Sequence, residues 1–227
     1  MSIRIIPGEI DAKDATTRTP IPSSAQSRWP PFERVAETIA TPRRRFPPHR
    51  HEGVEVLTHG IEGSGTYEFG SDPIAPFEVG STALLTAPTP VSHSINPGKG
   101  RTLRWFSVVA TLPEGRVAAP RLQMTRSAET PVQADGTVVR HLLGAGTSVT
   151  SIAGLEGELI EFREGGTSFR RIGHDREAVC YALSGQGSVD SAVLEGGEAA
   201  LVSDAAGIGL GGRTGFRAVL VSAPRSP

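Results

Sequence analysis

Glycine and proline interrupt this chain so often that only short strands have room to grow between them. From Phe32 onward the runs "RVAETIATP", "VEVLTHGIEG", "GTYEF", "FEVGSTALLTA", "SHSIN" and "TLRWFSVVATLP" follow one another, nearly all separated by Gly or Pro. That spacing predicts an all-β sandwich or barrel rather than alternating β and α units. Gly 27 and Pro 18 among 227 residues punctuate many strands while staying below the level of a disordered chain. Between Pro113 and Ser151 the pattern weakens, and then a second series begins: "LEGELIEFREG", "TSFRRI", "AVCYALSGQGSV", "GGEAALVSD" and "GFRAVLVSAP". In each half an apolar strand closes on a tight glycine turn ("VEVLTHGIEGSG", "AVCYALSGQGSV") and an x-G-x strand follows ("FEVGSTALLTA", "LEGGEAALVSD"). This is a weak duplication at a period of roughly 120 residues, far longer than a solenoid repeat. We therefore expect two tandem β-barrels: an irregular arm over 1–31 with a short strand near Met1 to Ile6, an N-terminal barrel over 32–112, a connector over 113–150 and a C-terminal barrel over 151–227.

Charge and cysteine content narrow the function classes. Lys+Arg 23 against Asp+Glu 24 leaves a formal net charge of −1, so no global field draws the protein to nucleic acid or to an anionic membrane. The single cysteine, Cys180, lies in an apolar strand pattern with no activating charge and reads as a small buried residue, not a nucleophile. The opening "MSIRIIPGEIDAKD" lacks the apolar core of a secretory signal, and no apolar run approaches the ~20 residues of a membrane helix. A soluble, cytoplasmic protein is expected.

Chemistry is concentrated in "FPPHRHEGVEV", where His49 and His51 stand one residue apart at the entry to a strand. Side-chain direction on a strand repeats every two residues, so both imidazoles share a face. Paired imidazoles suggest a metal. A third histidine, His93, follows in "APTPVSHSINPG", where a neighbouring strand would bring it beside the pair.

"HRHEGVEVLTHGIEG" followed by "LTAPTPVSHSINPG" resembles the N-terminal barrel of the pirin family, two-barrel proteins of the cupin (jelly-roll) class. His49, His51, Gly53, Glu55, Glu62 and Gly63 fall on the family frame, with Glu52 where an arginine is usual. Thr86, Ala87, His93 and Ser94 meet the second block, with Pro88 and Pro90 where glycines are common. The carboxyl half is similar more loosely, through "REAVCYALSGQGSV" and "FRAVLVSAP". The resemblance implies a metal site of three histidines and one glutamate, and at the glutamate position this chain has Ile95. It further implies one divalent transition metal, with Fe(II) favoured by the family and Ni, Zn, Cu or Mn compatible with imidazole ligands.

The fourth ligand is left open. Regular alternation from Val54 places Val56 and Thr58 on one face and Glu55, Leu57 and His59 on the other. A cupin strand glutamate, counted back from the closing glycine, would fall on Val56, so Glu55 reaches the site only if a bulge rotates it inward. Val56 and Ile95 are expected as site walls. His59 reads as packed or surface-exposed, His141 and His174 as structural or exposed, and the second barrel as lacking a metal site. Arg43, Arg44 and Arg45 form the densest basic run and read as solvated edge charge, not a dedicated anion site, that would help to attract an anionic substrate.

Three functional classes follow. The resemblance implies a quercetin 2,3-dioxygenase-like oxidoreductase acting on a flavonol-like or other small aromatic or enol substrate, although Ile95 removes the group best placed to take the flavonol proton. A non-enzymatic, metal-dependent regulator that binds a protein partner is the second class. A metal-free barrel that binds a small ligand is the third, and no nucleic acid or membrane partner is expected in any of them.

Overall fold

The computed structural model describes residues 1–11, 14–42, 46–70, 72, 74–115, 118–126, 132–144 and 146–225. These form strands without a helix: β1 (Ser2–Pro7), β2 (Glu9–Asp11), β3 (Asp14–Ile21), β4 (Phe32–Ala40), β5 (His49–His51), β6 (Val54–Phe69) and β7 (Ala75–Glu78) come first. β8 (Ser81–Ala87), β9 (Val91–Pro97), β10 (Leu103–Thr111), β11 (Arg121–Arg126), β12 (Thr137–Leu143) and β13 (Glu156–Phe162) follow. The last are β14 (Gly166–Arg171), β15 (Arg176–Ser184), β16 (Gln186–Val189), β17 (Ala192–Glu195), β18 (Glu198–Ser203), β19 (Gly207–Gly212) and β20 (Arg217–Pro224). Among the described residues no helix is long and apolar enough to cross a membrane.

The described strands form two jelly-roll barrels in tandem. In the first, β11-β8-β6-β10-β4-β3-β2 make one curled sheet, and β5, β9 and β7 with the far half of β6 close over it. In the second, β1-β18-β15-β20-β13-β12 face the four-stranded β14-β19-β16-β17.

β6 shows how the sequence turns a strand from one sheet into the other. Its first half pairs with β8 and β10, and its second half, from Ser64, pairs with β7 and β9. The hinge is Gly63, at φ 81°, where a Cβ would meet the Thr102 carbonyl oxygen at 1.9 Å. Only glycine fits there. The second barrel repeats the device at Gly185, φ 77°, between β15 and β16. The two glycine turns that suggested duplication thus perform the same corner in each barrel.

β1 is the short strand expected near Met1 to Ile6, while β2 and β3 stand where an irregular arm was expected. β1 adds to the second barrel beside β18, whereas β2 and β3 extend the first barrel beside β4. The connector also pairs, β11 with β8 and β12 with β13, so it lends an edge strand to each barrel. Pro- and Thr-rich edge strands lack an alternating apolar face, which is why periodicity alone reads them as loop.

The barrels pack sheet to sheet. Leu57, Ile61, Phe106 and Val108 from the first interdigitate with Leu159, Tyr181, Val219 and Val221 from the second, all 4% exposed or less. The interior of the second barrel is filled by Ile160, Phe162, Val189, Leu210 and Phe216. The interior of the first keeps an open cavity.

Candidate metal centre

β5 and β9 run antiparallel at the mouth of the first barrel, with His49 opposite His93 and His51 opposite Val91. Residues directly opposite share a face, so the register brings all three imidazoles together. Their ring centroids lie 4.3 to 5.0 Å apart. One ligand atom from each falls within 4.8 Å of the others. His93 is at the floor, 3% exposed, His51 is half-buried and His49 sits at the rim.

Burial sets the protonation of the cluster. Loss of hydration pulls His93 down to about 3, with His49 and His51 acting in the same direction. His51 falls to about 4 through burial, then the neighbouring His49 and Arg34. His49 is lowered as well, by burial first, with the Pro47 carbonyl opposing and Arg34 assisting. Neutral imidazole is the form that ligates a metal.

Both ring nitrogens of His93 and Nε2 of His51 are buried without a hydrogen-bond partner. An unsatisfied buried polar atom costs about 1–3 kcal/mol, so three in one place ask for a ligand. A metal ion would take one nitrogen from each ring, His51 Nε2 and one of the two on His93 among them, and the donor set fits one.

The cavity above the histidines encloses about 160 Å³. Phe46, Val56, Ile95, Trp105 and Val109 form its apolar wall, and Thr17, Thr19, Thr38, Thr58 and Ser107 supply hydroxyls. Arg34 completes the lining. Ile95 is 4% exposed and packs with Tyr67, Phe77, Leu103 and Trp105, so the position after Ser94 is an apolar buttress. Tyr67 lies opposite Ile95 on β6, its ring 5.2 Å from that of His93. Burial raises the Tyr67 phenol far above its usual range. The Thr58 hydroxyl partly opposes that rise, although the two hydroxyls fall short of hydrogen-bond geometry.

Val56 and Ile95 both line the cavity. Glu55 does not approach the histidines, and the fourth-ligand role left open for it is corrected here. β6 keeps its alternation with no bulge at that point, so the carboxylate points to the other barrel. There it accepts hydrogen bonds from Thr86 Oγ1 (2.8 Å), Ser151 Oγ (2.5 Å), Ile152 N (3.1 Å) and Ala153 N (3.0 Å).

His59, on the same face as Glu55, is 1% exposed, with Nδ1 2.9 Å from Thr82 Oγ1. Burial and then the charges of Arg140 and Arg217 lower it to about 3. Its unfolded form takes up a proton near pH 6.5 and its folded form only near 3, so the unfolded state binds more protons in between. The stability due to neutral His59 is present above about pH 6.5 and drains away on acidification by up to about 1.4 kcal/mol per pH unit. Urea unfolding at pH 7 and pH 5 is expected to show a smaller acid loss in His59→Gln than in wild type.

The remaining candidates lie away from the centre. His141 pairs with Glu158 at 3.2 Å in the second barrel, and His174 is exposed in a turn. Cys180 is fully buried, its thiol pushed up to about 12 by desolvation. Glu52 is exposed beside Arg50. Arg43, Arg44 and Arg45 fall outside the described residues. What sequence reasoning missed is the far wall: Thr17, Thr19, Arg34, Thr38, Trp105 and Ser107. Their only signal is a period of two on β3, β4 and β10 whose inward positions are largely polar, a pattern that a search for apolar faces does not register.

Fold and site together give two tandem jelly-roll barrels with a three-histidine pocket in the first. No protein-family profile matches the sequence, and no curated protein matches it. Solved structures do match. The chain is similar to a quercetin 2,3-dioxygenase from Acinetobacter baumannii at TM-score 0.86 and 16% identity, covering 98% of this chain and 79% of that one. It is similar to GK1651 from Geobacillus kaustophilus at TM-score 0.84 and 20% identity, covering 98% and 95%. It is similar to the pirin YhhW from Escherichia coli, solved in complex with nickel(II), at TM-score 0.78 and 16% identity, covering 99% and 100%. At these identities the likeness establishes the shared fold.

Proposed function

We propose that the N-terminal barrel holds one divalent transition metal on His49, His51 and His93 and works as a dioxygenase-type oxidoreductase on a small aromatic or enol substrate. The observation that carries this reading is the set of buried ring nitrogens without partners on His93 and His51. Iron is favoured by the family resemblance, and the nickel(II) bound to the Escherichia coli pirin supports a site that accepts several metals. When bound, such an ion supplies Lewis-acid polarisation and a meeting point for a substrate oxygen and O2.

The chain's own residues set the rest. His49, His51 and His93 present neutral donors from a rigid strand pair, while Val56, Ile95 and Trp105 exclude water from one side of the cavity. Among the described residues no carboxylate lines the pocket, and the hydroxyls of Thr38, Thr58 and Ser107 are too weakly basic to take a phenolic proton. A cavity of about 160 Å³ is close in size to the engineered ~150 Å³ void that takes a single benzene ring. Slow turnover of a flavonol and preference for a smaller ring follow from both facts.

The test is metal per chain in protein purified without a histidine tag, followed by O2 consumption with flavonol and single-ring enols. Near-stoichiometric metal is expected in wild type. In His51→Ala, with an unchanged circular dichroism spectrum, metal content should fall at least tenfold. Equal metal in both forms would place the ion elsewhere.

A further inference from the structure

Two buried hydroxyls beside the histidines, those of Thr58 and Tyr67, lack a hydrogen-bond partner among the described residues. We propose that they form a polar subsite for a second oxygen of the substrate, so that the pocket selects a single ring carrying two oxygens, one for the metal and one for this pair. The inference deepens the proposed metal site and rests on that reading.

The bend of β6 at Gly63 brings the pair together. Thr58 precedes it, in the sheet shared with β8 and β10, and Tyr67 follows it, in the sheet shared with β7 and β9. One strand thus approaches the pocket from two sides. Thr58 lines the cavity and is 1% exposed. Tyr67 is 0% exposed and packs with the wall residues Ile95 and Trp105, and its ring lies 5.2 Å from that of His93. The hydroxyls are near enough for Thr58 to act on the phenol, yet they make no hydrogen bond to each other. Ser107, which pairs with Thr58 from β10, differs in reaching the Ala36 carbonyl at 3.5 Å.

Burying a hydroxyl without a partner is costly. Valine at 58 and phenylalanine at 67 would fill the same space without that cost, so packing alone does not account for either hydroxyl. A pair kept open beside a metal site suits an oxygen that arrives with the ligand. Burial holds the Tyr67 phenol protonated, so it donates, and the Thr58 hydroxyl donates or accepts as the ligand requires. A ring oxygen placed between them satisfies both. A ring whose one oxygen is taken by the metal leaves both without a partner, and sites built to hydrogen-bond a substrate oxygen discriminate strongly against analogues that lack it.

The experiment uses the full chain loaded with Zn(II), which is redox-silent, and reads binding by calorimetry under anaerobic conditions. Phenol, resorcinol and hydroquinone are titrated in parallel. Resorcinol or hydroquinone is expected to bind at least tenfold more tightly than phenol, and the tighter of the two gives the spacing between metal and hydroxyl pair. In Thr58→Val and in Tyr67→Phe that advantage should fall to about twofold with zinc content unchanged. A second readout needs no metal. With chelator present, both variants should unfold at the wild-type urea midpoint or above it, because neither loses a hydrogen bond. The inference is overturned, with the metal site left standing, if neither dihydroxybenzene binds more tightly than phenol, if the advantage survives either substitution, or if either variant unfolds at lower urea. Failure of wild type to retain zinc would overturn both.

Discussion

Replacing Glu55 with alanine is expected to lower the unfolding free energy by about 3–5 kcal/mol and to leave metal content unchanged. The carboxylate is fully buried and receives four hydrogen bonds, one from Thr86 on β8 and three from the 151–153 segment that leads into the second barrel. Removing it strands two backbone N–H groups, those of Ile152 and Ala153, and the Thr86 and Ser151 hydroxyls away from water. Each stranded donor carries its own desolvation cost, and together they exceed what the lost Cβ–Cγ packing would explain. Glu55→Gln should recover little, because its amide N–H2 would meet donors where an oxygen is required. Urea unfolding and metal analysis on the same preparations separate the two roles. Lost metal with little lost stability would mean that Glu55 serves the histidine site after all.

That residue also marks what can be read from one sequence. Parity along β6 was legible: Val56 and Thr58 line the cavity, and Leu57, His59 and Ile61 face the other barrel or its packing layer. Parity says which way Glu55 points but not what it meets, since Ser151, Ile152 and Ala153 lie about a hundred residues downstream. The histidine cluster was legible because an H-x-H pair carries its geometry within three residues. The exchange of β1 into the second barrel was not, because an edge strand paired over a separation of nearly two hundred residues leaves no local trace. Arg34 was missed for another reason. It is one arginine among many, and only the closure of β4 against β10 and β3 turns it toward the histidines.

Ile95→Glu is expected to make this protein depend on metal for its stability. Ile95 sits one residue pair along β9 from His93, 4% exposed and enclosed by Tyr67, Phe77, Leu103 and Trp105. A glutamate there loses the packing of a buried isoleucine and places a carboxylate in apolar surroundings. Without metal the cost is about 3 kcal/mol or more, and it is reduced only by protonation of the carboxyl group. With metal the same carboxylate gains a cation beside His93, so the ion recovers much of that loss and binds more tightly for having a negative ligand. Linkage then requires the metal-induced rise in unfolding free energy to be larger in the variant than in wild type, by about 1.4 kcal/mol for each tenfold gain in affinity. Thermal unfolding of both forms with chelator and with saturating Zn(II) measures the difference directly. A variant destabilised equally with and without zinc would show that residue 95 does not face the ion. Glutamate would then be only a buried defect, and the apolar wall beside His93 would belong to the packing of the barrel instead of to its metal chemistry.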